Sequence, residues 1–260
     1  MSLPHRVVLI SAACLAAAVS TASQQPAPTL TRQALIEEVV IANHILANEG
    51  VLDGYGHVSA RSPENPRRYF LAAAGAPGLV SAKDITEYDL DSKAVATAAA
   101  TGYIERFIHG EVYKARPDVM AVVHSHSPEV IPFAATAVPM QPMYHMGSFI
   151  GEGVPVWDIK QAGGITDMLV SSGNLGRSLA QTLGHRSAAL MRGHGAVIAA
   201  PSLHLVVGRA FYLNLNARLQ WQAMQLAGGK VTYLDPEEAK KSGQTYERNW
   251  DYWKARLPRN

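Results

Sequence analysis

Apolar positions recur along the chain with two different periods. From Thr31 to Asn48 they fall at Leu35, Val39, Ala42 and Leu46, the spacing that lines one face of a helix. Gly50 supplies the stop, because glycine accepts the left-handed conformation in which helices end. Short runs at Val58–Arg61 and Tyr69–Leu71 read as strands, separated by the turn-forming Ser62-Pro63-Glu64-Asn65-Pro66. The spacing predicts a helix over Ile104–Ala115, closed at Arg116 because a residue before proline leaves the helical region. Val119–His126 (VMAVVHSH) reads as a Val-rich strand, and Pro128 opens another helix. Two further strands, Ala188–Met191 and Ala196–Ala199, flank Arg192-Gly193-His194-Gly195. A long helix runs from Ser202 to about Ala227 and halts at Gly228-Gly229. Strands and helices interleave throughout, which predicts an α/β protein.

The N-terminus has a different pattern. A weakly basic start with His5 and Arg6 precedes the uncharged run Val7–Ser20, and small residues follow. That order is the layout of a secretory signal peptide, with cleavage after Ala22 or Ser23. A frayed alanine-rich helix is the alternative. The run falls short of the roughly 20 apolar residues of a membrane span, so no stable membrane anchor is expected. The expected division is a signal peptide at 1–23 and one catalytic domain at 24–260. The protein is exported or periplasmic if the signal is used, and cytoplasmic otherwise.

Composition narrows the chemistry. The single cysteine, Cys14, lies in the candidate signal and excludes an internal disulfide or a dithiol centre. The net charge of +2 and the absence of dense basic blocks argue against a nucleic-acid partner. The ten histidines are the suggestive feature. His124 and His126 end a strand, and a period of two points both imidazoles to one side. Such a pair can converge on one metal ion or stand exposed at a strand end. His194 sits between two glycines after an apolar strand, where the backbone can turn sharply and approach a site closely. Three histidines would leave a metal position open, the arrangement of catalytic centres. Glu105 could be a fourth ligand, a general base or both in turn, or pair with Arg106 or His109 on a solvated helix.

Several segments together carry a resemblance. Gly56-His57-Val58-Ser59-Ala60-Arg61, Ser81-Ala82-Lys83-Asp84-Ile85, Glu105 through Pro117-Asp118-Val119, Val122 through Pro128, and Met191 through Gly195 occur in order. The chain resembles the class II aldolase/adducin family from about Leu35 to about Gly229. The resemblance implies a three-layer α/β/α domain with a central mixed, mainly antiparallel sheet. It implies one divalent metal ion held by His124, His126, His194 and Glu105, with Glu105 as the acid/base residue. Zinc or manganese suits that donor set, and iron or cobalt is also compatible. The resemblance further implies a homo-oligomer, a tetramer with active sites at subunit contacts.

Phosphosugar aldolases of this family hold phosphate with a Gly-Asn-x-Ser segment, a Ser-Gly pair and a Ser-Ser-Glu segment. Here His57 replaces the asparagine while Ser59 is kept, Ala74-Gly75 lacks the hydroxyl, and Tyr103-Ile104-Glu105 lacks the serines. A phosphate dianion needs several converging donors, so a phosphorylated substrate is not expected. Gly56-His57-Val58-Ser59, Tyr144-His145-Met146-Gly147 and Met191–Gly195 resemble the branch that decarboxylates hydroxylated pyridine or phthalate dicarboxylates. The expected activity is decarboxylation of a hydroxylated aromatic or heteroaromatic carboxylate, a small-molecule substrate. His57, Ser59, Gly75, Arg192 and His145 are the candidate substrate-binding residues. For Arg192 a buried ion pair, and for His145 a satisfied strand histidine, are the alternatives. His44, His109, His185 and His204 are read as structural or surface residues. The alternatives in function are an aldolase for a non-phosphorylated hydroxy-aldehyde or hydroxy-acid, an adducin-like scaffold and an oxygenase.

Overall fold

The computed structural model describes residues 30–96, 102–243 and 245–258. The candidate signal peptide at 1–23 lies outside the described residues. The elements are α1 (Arg32–Asn48), β1 (His57–Arg61), β2 (Arg68–Ala72), β3 (Ile85–Asp89), α2 (Arg106–Ala115), β4 (Ala121–Ser125) and α3 (Ile131–Ala135). They continue as β5 (Val156–Trp157), α4 (Ile159–Gly163), α5 (Gly173–Leu183), β6 (Ala188–Met191), β7 (Gly195–Ala200), α6 (Leu203–Leu226), α7 (Pro236–Lys241) and α8 (Glu247–Ala255).

The two long helices start where their caps are. Thr31 Oγ1 accepts from the Ala34 N–H, and Ser202 Oγ accepts from the Leu205 N–H. Each hydroxyl satisfies a backbone donor that the first turn leaves without an intrahelical partner. Two starts differ from the sequence reading. The helix expected from Ile104 begins at Arg106, with Glu105 at its N-cap. The helix expected at Pro128 begins at Ile131, because Ser127–Val130 first closes a tight turn through a Val130 N–H to Ser127 O bond of 3.3 Å.

The strands form one sheet in the order β3-β2-β1-β4-β7-β6-β5. Only the β5–β6 pair is parallel, so the sheet is mixed and mainly antiparallel. Every residue of β1, β4 and β7 is buried. Side chains that point to one face, such as Val58, Val123 and Ile198, pack against α1, α6 and α8. Those that point to the other, such as Leu71, Val122 and Val197, pack against Ile108 and Val112 of α2 and Leu179 and Leu183 of α5. The result is the expected three-layer α/β/α domain. Burial on both faces explains the apolar runs of β4 and β7, whereas β1 alternates Val58 and Ala60 with the buried polar His57, Ser59 and Arg61. Trp250 and Trp253 close the edge of the first core, whereas Tyr252 is exposed. No helix among the described residues is long and apolar enough to cross a membrane.

Candidate metal centre and cleft

β1, β4 and β7 bring the chemistry to one end of the sheet. His124 pairs with His57 across β1–β4 and with Val197 across β4–β7. His126 follows β4 directly, and His194 sits in the tight turn that joins β6 to β7. That turn is fixed by Gly193, whose φ of +66° suits glycine. Gly195 has an ordinary φ, but a Cβ there would overlap the Ser125 carbonyl. The close approach of β7 to β4 therefore depends on the missing side chain.

The three imidazoles converge. His124 Nε2 lies 3.1 Å from His126 Nε2, and His126 Nε2 lies 3.0 Å from His194 Nε2. Glu105 Oε2 stands 3.2, 3.9 and 3.4 Å from the Nε2 atoms of His124, His126 and His194. Glu105 Oε1 accepts from the Val170 N–H at 2.9 Å, which aims the other oxygen at the imidazoles. The opposite ring nitrogens fix the tautomers. His124 Nδ1 meets the Ala196 carbonyl at 3.1 Å, and His194 Nδ1 meets the Met168 carbonyl at 2.9 Å. A carbonyl only accepts, so each Nδ1 carries the proton and each Nε2 turns a lone pair inward. Lone pairs and a carboxylate within 4.8 Å of one another repel unless a cation lies among them. The donor set thus fits a divalent metal, and its nitrogen and oxygen atoms suit zinc, manganese, iron or cobalt.

The electrostatics agree. Burial pushes the Glu105 carboxyl up, but positive charge in the cluster, which a protonated His124, His126 or His194 supplies, outweighs it and holds the group well below the usual carboxylate range. Burial pulls the His124 imidazole down, against the attraction of Glu105. Both groups therefore sit in the protonation states that bind metal.

A cleft of about 460 Å³ opens beside the cluster, lined by Tyr55, His57, Gly75, Tyr103, Glu105 and His126 among others. His57 stacks on Tyr103 with ring centroids 4.9 Å apart, and Tyr103 donates to the Gly75 carbonyl at 2.6 Å. Of the candidate substrate-binding residues, His57 and Gly75 line the cleft. Three other candidates do not. Ser59 shares a face with His57 but lies two residues deeper, where His109 and Tyr113 cover it and take both its hydrogen bonds. Arg192 is held by Asp158 at 2.8 Å, in an ion pair that is half-exposed, not buried. His145 opens the short 3-10 turn His145–Ile150, is exposed and meets Tyr144 edge-on; it is not a strand histidine. In the single chain neither Arg192 nor His145 lines the cleft.

Of the structural and surface alternatives for His109, the structure shows the first: it is fully buried and bonded to His57 at 2.7 Å, a link to the cleft that the sequence did not reveal. The available signal was its four-residue spacing from Tyr113 on α2, which puts both on one helix face. Tyr103 and Tyr55 carried no comparable signal.

Fold and donor set together define the class: an α/β domain whose Glu105, His124, His126 and His194 cluster fits a divalent metal. The sequence matches the Class II Aldolase and Adducin N-terminal domain over residues 37–221, and the chain belongs to that family. It is 40% identical to "Decarboxylase tropJ" of Talaromyces stipitatus, over 81% of this chain and 89% of the relative. It is 30% identical to the 3,4-dihydroxyphthalate decarboxylase of Arthrobacter keyseri, over 81% and 87%. In structure it resembles the L-fuculose 1-phosphate aldolase from Glaciozyma antarctica, with a TM-score of 0.70 and 22% identity over 89% of this chain and 93% of that one. The chain is a metal-dependent carbon–carbon lyase.

Proposed function

We propose that this lyase decarboxylates a hydroxylated aromatic or heteroaromatic carboxylate, with His124, His126, His194 and Glu105 holding the metal. The convergence of three imidazole lone pairs and Glu105 at the wall of an aromatic-lined cleft carries this reading. The decarboxylase names of the two relatives support it, as does the absence of the hydroxyls that would hold a sugar phosphate.

Loss of carbon dioxide leaves an electron pair on a ring carbon beside the oxygen of the ortho hydroxyl. A bound divalent metal would chelate the ortho hydroxyl and carboxylate and act as a Lewis acid toward that charge. Tyr103 and His57 supply a flat wall for the ring. Glu105 is ionised, and its Oε2 faces the cluster. It can take the hydroxyl proton as carbon dioxide leaves and return it to the ring carbon. Backbone support from Val170 keeps that oxygen in place.

Zinc or manganese is the proposed ion. Exposed apolar side chains on α6, Trp221 and Leu226, support a homo-oligomer, with a tetramer as the proposed state. The residue pattern of 1–23 supports export, and N-terminal sequencing of the protein made in its own cells tests it.

The deciding experiment is metal analysis joined to a turnover screen with 3,4-dihydroxyphthalate, other hydroxy-aromatic acids and hydroxy-aldehydes. Metal in the purified protein and carbon dioxide from an aromatic acid are expected. Aldehyde release without carbon dioxide would replace the decarboxylase reading with an aldolase.

A further inference from the structure

A chain of four polar side chains runs beneath the cleft. The Tyr113 hydroxyl lies 2.8 Å from Ser59 Oγ. Ser59 Oγ lies 2.6 Å from His109 Nδ1, and His109 Nε2 lies 2.7 Å from His57 Nδ1. Tyr113, Ser59 and His109 are sealed from solvent, and His57 touches it only at the cleft. Each group in the interior must use its proton or leave a buried donor unpaired, which costs about 1–3 kcal/mol.

That requirement gives the chain one direction. Among the described residues Tyr113 has a single acceptor for its proton, Ser59 Oγ. Ser59 accepts from Tyr113, so its own proton goes to His109 Nδ1. A neutral His109 then carries its proton on Nε2 and donates to His57 Nδ1. A neutral His57 must carry its proton on Nε2, which makes no hydrogen bond among the described residues. With Nδ1 accepting from Ser59, His109 has only Nε2 left for a proton, and a proton there leaves His57 Nδ1 as the acceptor. The reverse direction would leave the Tyr113 proton without an acceptor. Arg61 stacks over the Tyr113 ring at 4.7 Å and favours the phenol as donor.

We infer that His57 presents a fixed Nε2–H donor to an oxyanion of the substrate, and that His109 is the positioning residue that sets this tautomer through Ser59 and Tyr113. The ligand class is a planar aromatic acid bearing a second carboxylate or a phenolate. The stacked Tyr103 meets the ring, and the His57 N–H meets the anionic oxygen. The inference rests on the proposed decarboxylase reading for its ligand, but the direction of the chain does not depend on it.

The test is nitrogen NMR of zinc-loaded protein labelled with 15N-histidine. His57→Asn and His109→Gln identify the two residues by loss of their signals. The proton between the rings should show its one-bond coupling to His109 Nε2, and His57 should be protonated on Nε2. A proton on His57 Nδ1 would overturn the inference. Calorimetry with phthalate, which lacks the ortho hydroxyl, follows. His109→Gln, whose amide can still donate to His57, should hold affinity within about threefold. His109→Leu should lose about tenfold and give His57 a mixture of tautomers. Equal affinity and a single tautomer in the leucine variant would also overturn it. Metal content and carbon dioxide release report separately on the proposed function, so failure of one is distinguishable from failure of the other.

Discussion

Gly195→Ala tests whether the approach of two strands sets the metal centre. The added Cβ would overlap the Ser125 carbonyl and lie 3.0 Å from the His126 Cα. Both obstacles are backbone, so no side chain can swing away. The glycine φ is not in the left-handed region, and conformational strain contributes nothing. Relief requires β7 to move from the end of β4 by much more than a few tenths of an ångström, because the overlap with the Ser125 carbonyl is deep. Forced shifts of this kind cost about 1–3 kcal/mol. For a domain of this size each kcal/mol corresponds to roughly 2–4 °C in melting temperature. The same movement carries His194 away from His124 and His126, because His194 directly precedes Gly195 in the chain. A fall in metal affinity of about 10–100-fold is expected, the range for disturbed ligand support. Gly193→Ala is the control. Its φ of +66° makes alanine costly, but the nearest atom to the added Cβ is the flexible Met168 Cε at 3.5 Å. That variant should lose about 1 kcal/mol of stability and much less metal affinity. Calorimetric melting and competitive zinc titration measure both quantities. A Gly195→Ala protein with wild-type melting and zinc affinity would refute the argument.

Glu105→Gln keeps the three imidazoles and removes the ionised carboxylate. It should retain bound metal at reduced affinity and lose about 10²–10⁴-fold in kcat, read by carbon dioxide release. His124→Ala removes a fully buried donor from the centre and should abolish both metal retention and turnover; a variant with full zinc content and activity would sink the ligand assignment. Chelation of the wild-type protein should lower its melting temperature, since the ion stabilises only the folded state, and added zinc should restore it. The His109 imidazole, lowered to about 3 in the fold by burial, stays neutral where the unfolded chain, near 6.5, takes a proton. The unfolded state therefore binds more protons between those values, and stability falls as the pH drops below about 6.5. Each such group costs up to about 1.4 kcal/mol per pH unit. Denaturant melts at pH 7 and pH 5 should show a smaller acid loss for His109→Gln than for wild type. An equal loss would place the acid sensitivity elsewhere.

The legible parts of the chain are those where one signal dominates. α1 and α6 show helical spacing together with a capping hydroxyl, so their starts follow from the sequence to within one residue. β4, β6 and β7 are short, dense apolar runs between turn residues. The elements that escaped are defined by tertiary contact. β3 is an edge strand whose residues are mostly half-buried, and β5 is two residues long. α5 begins Gly-Asn-Leu-Gly, poor helix-formers, and is held by the Ser172 cap and by packing of Leu179 and Leu183 against the second core.

The same division runs through the site. His124, His126 and His194 are legible because metal ligation needs particular residue types at strand ends, and their spacing survives in one dimension. His57 is legible because it replaces the asparagine of the Gly-Asn-x-Ser segment in the sugar aldolases that the chain resembles. The residues that direct His57 are not, because Ser59, His109 and Tyr113 act only through a hydrogen-bond chain between β1 and α2. The period of a strand placed Ser59 on the face of His57 but not its depth. Depth is what separates a side chain that touches substrate from one that fixes the proton of its neighbour. In this fold one strand supplies both, with His57 at the cleft and Ser59 beneath it. Replacement of asparagine by histidine at position 57 therefore has to be read together with His109. A histidine offers the cleft a donor only when its other nitrogen is told to accept.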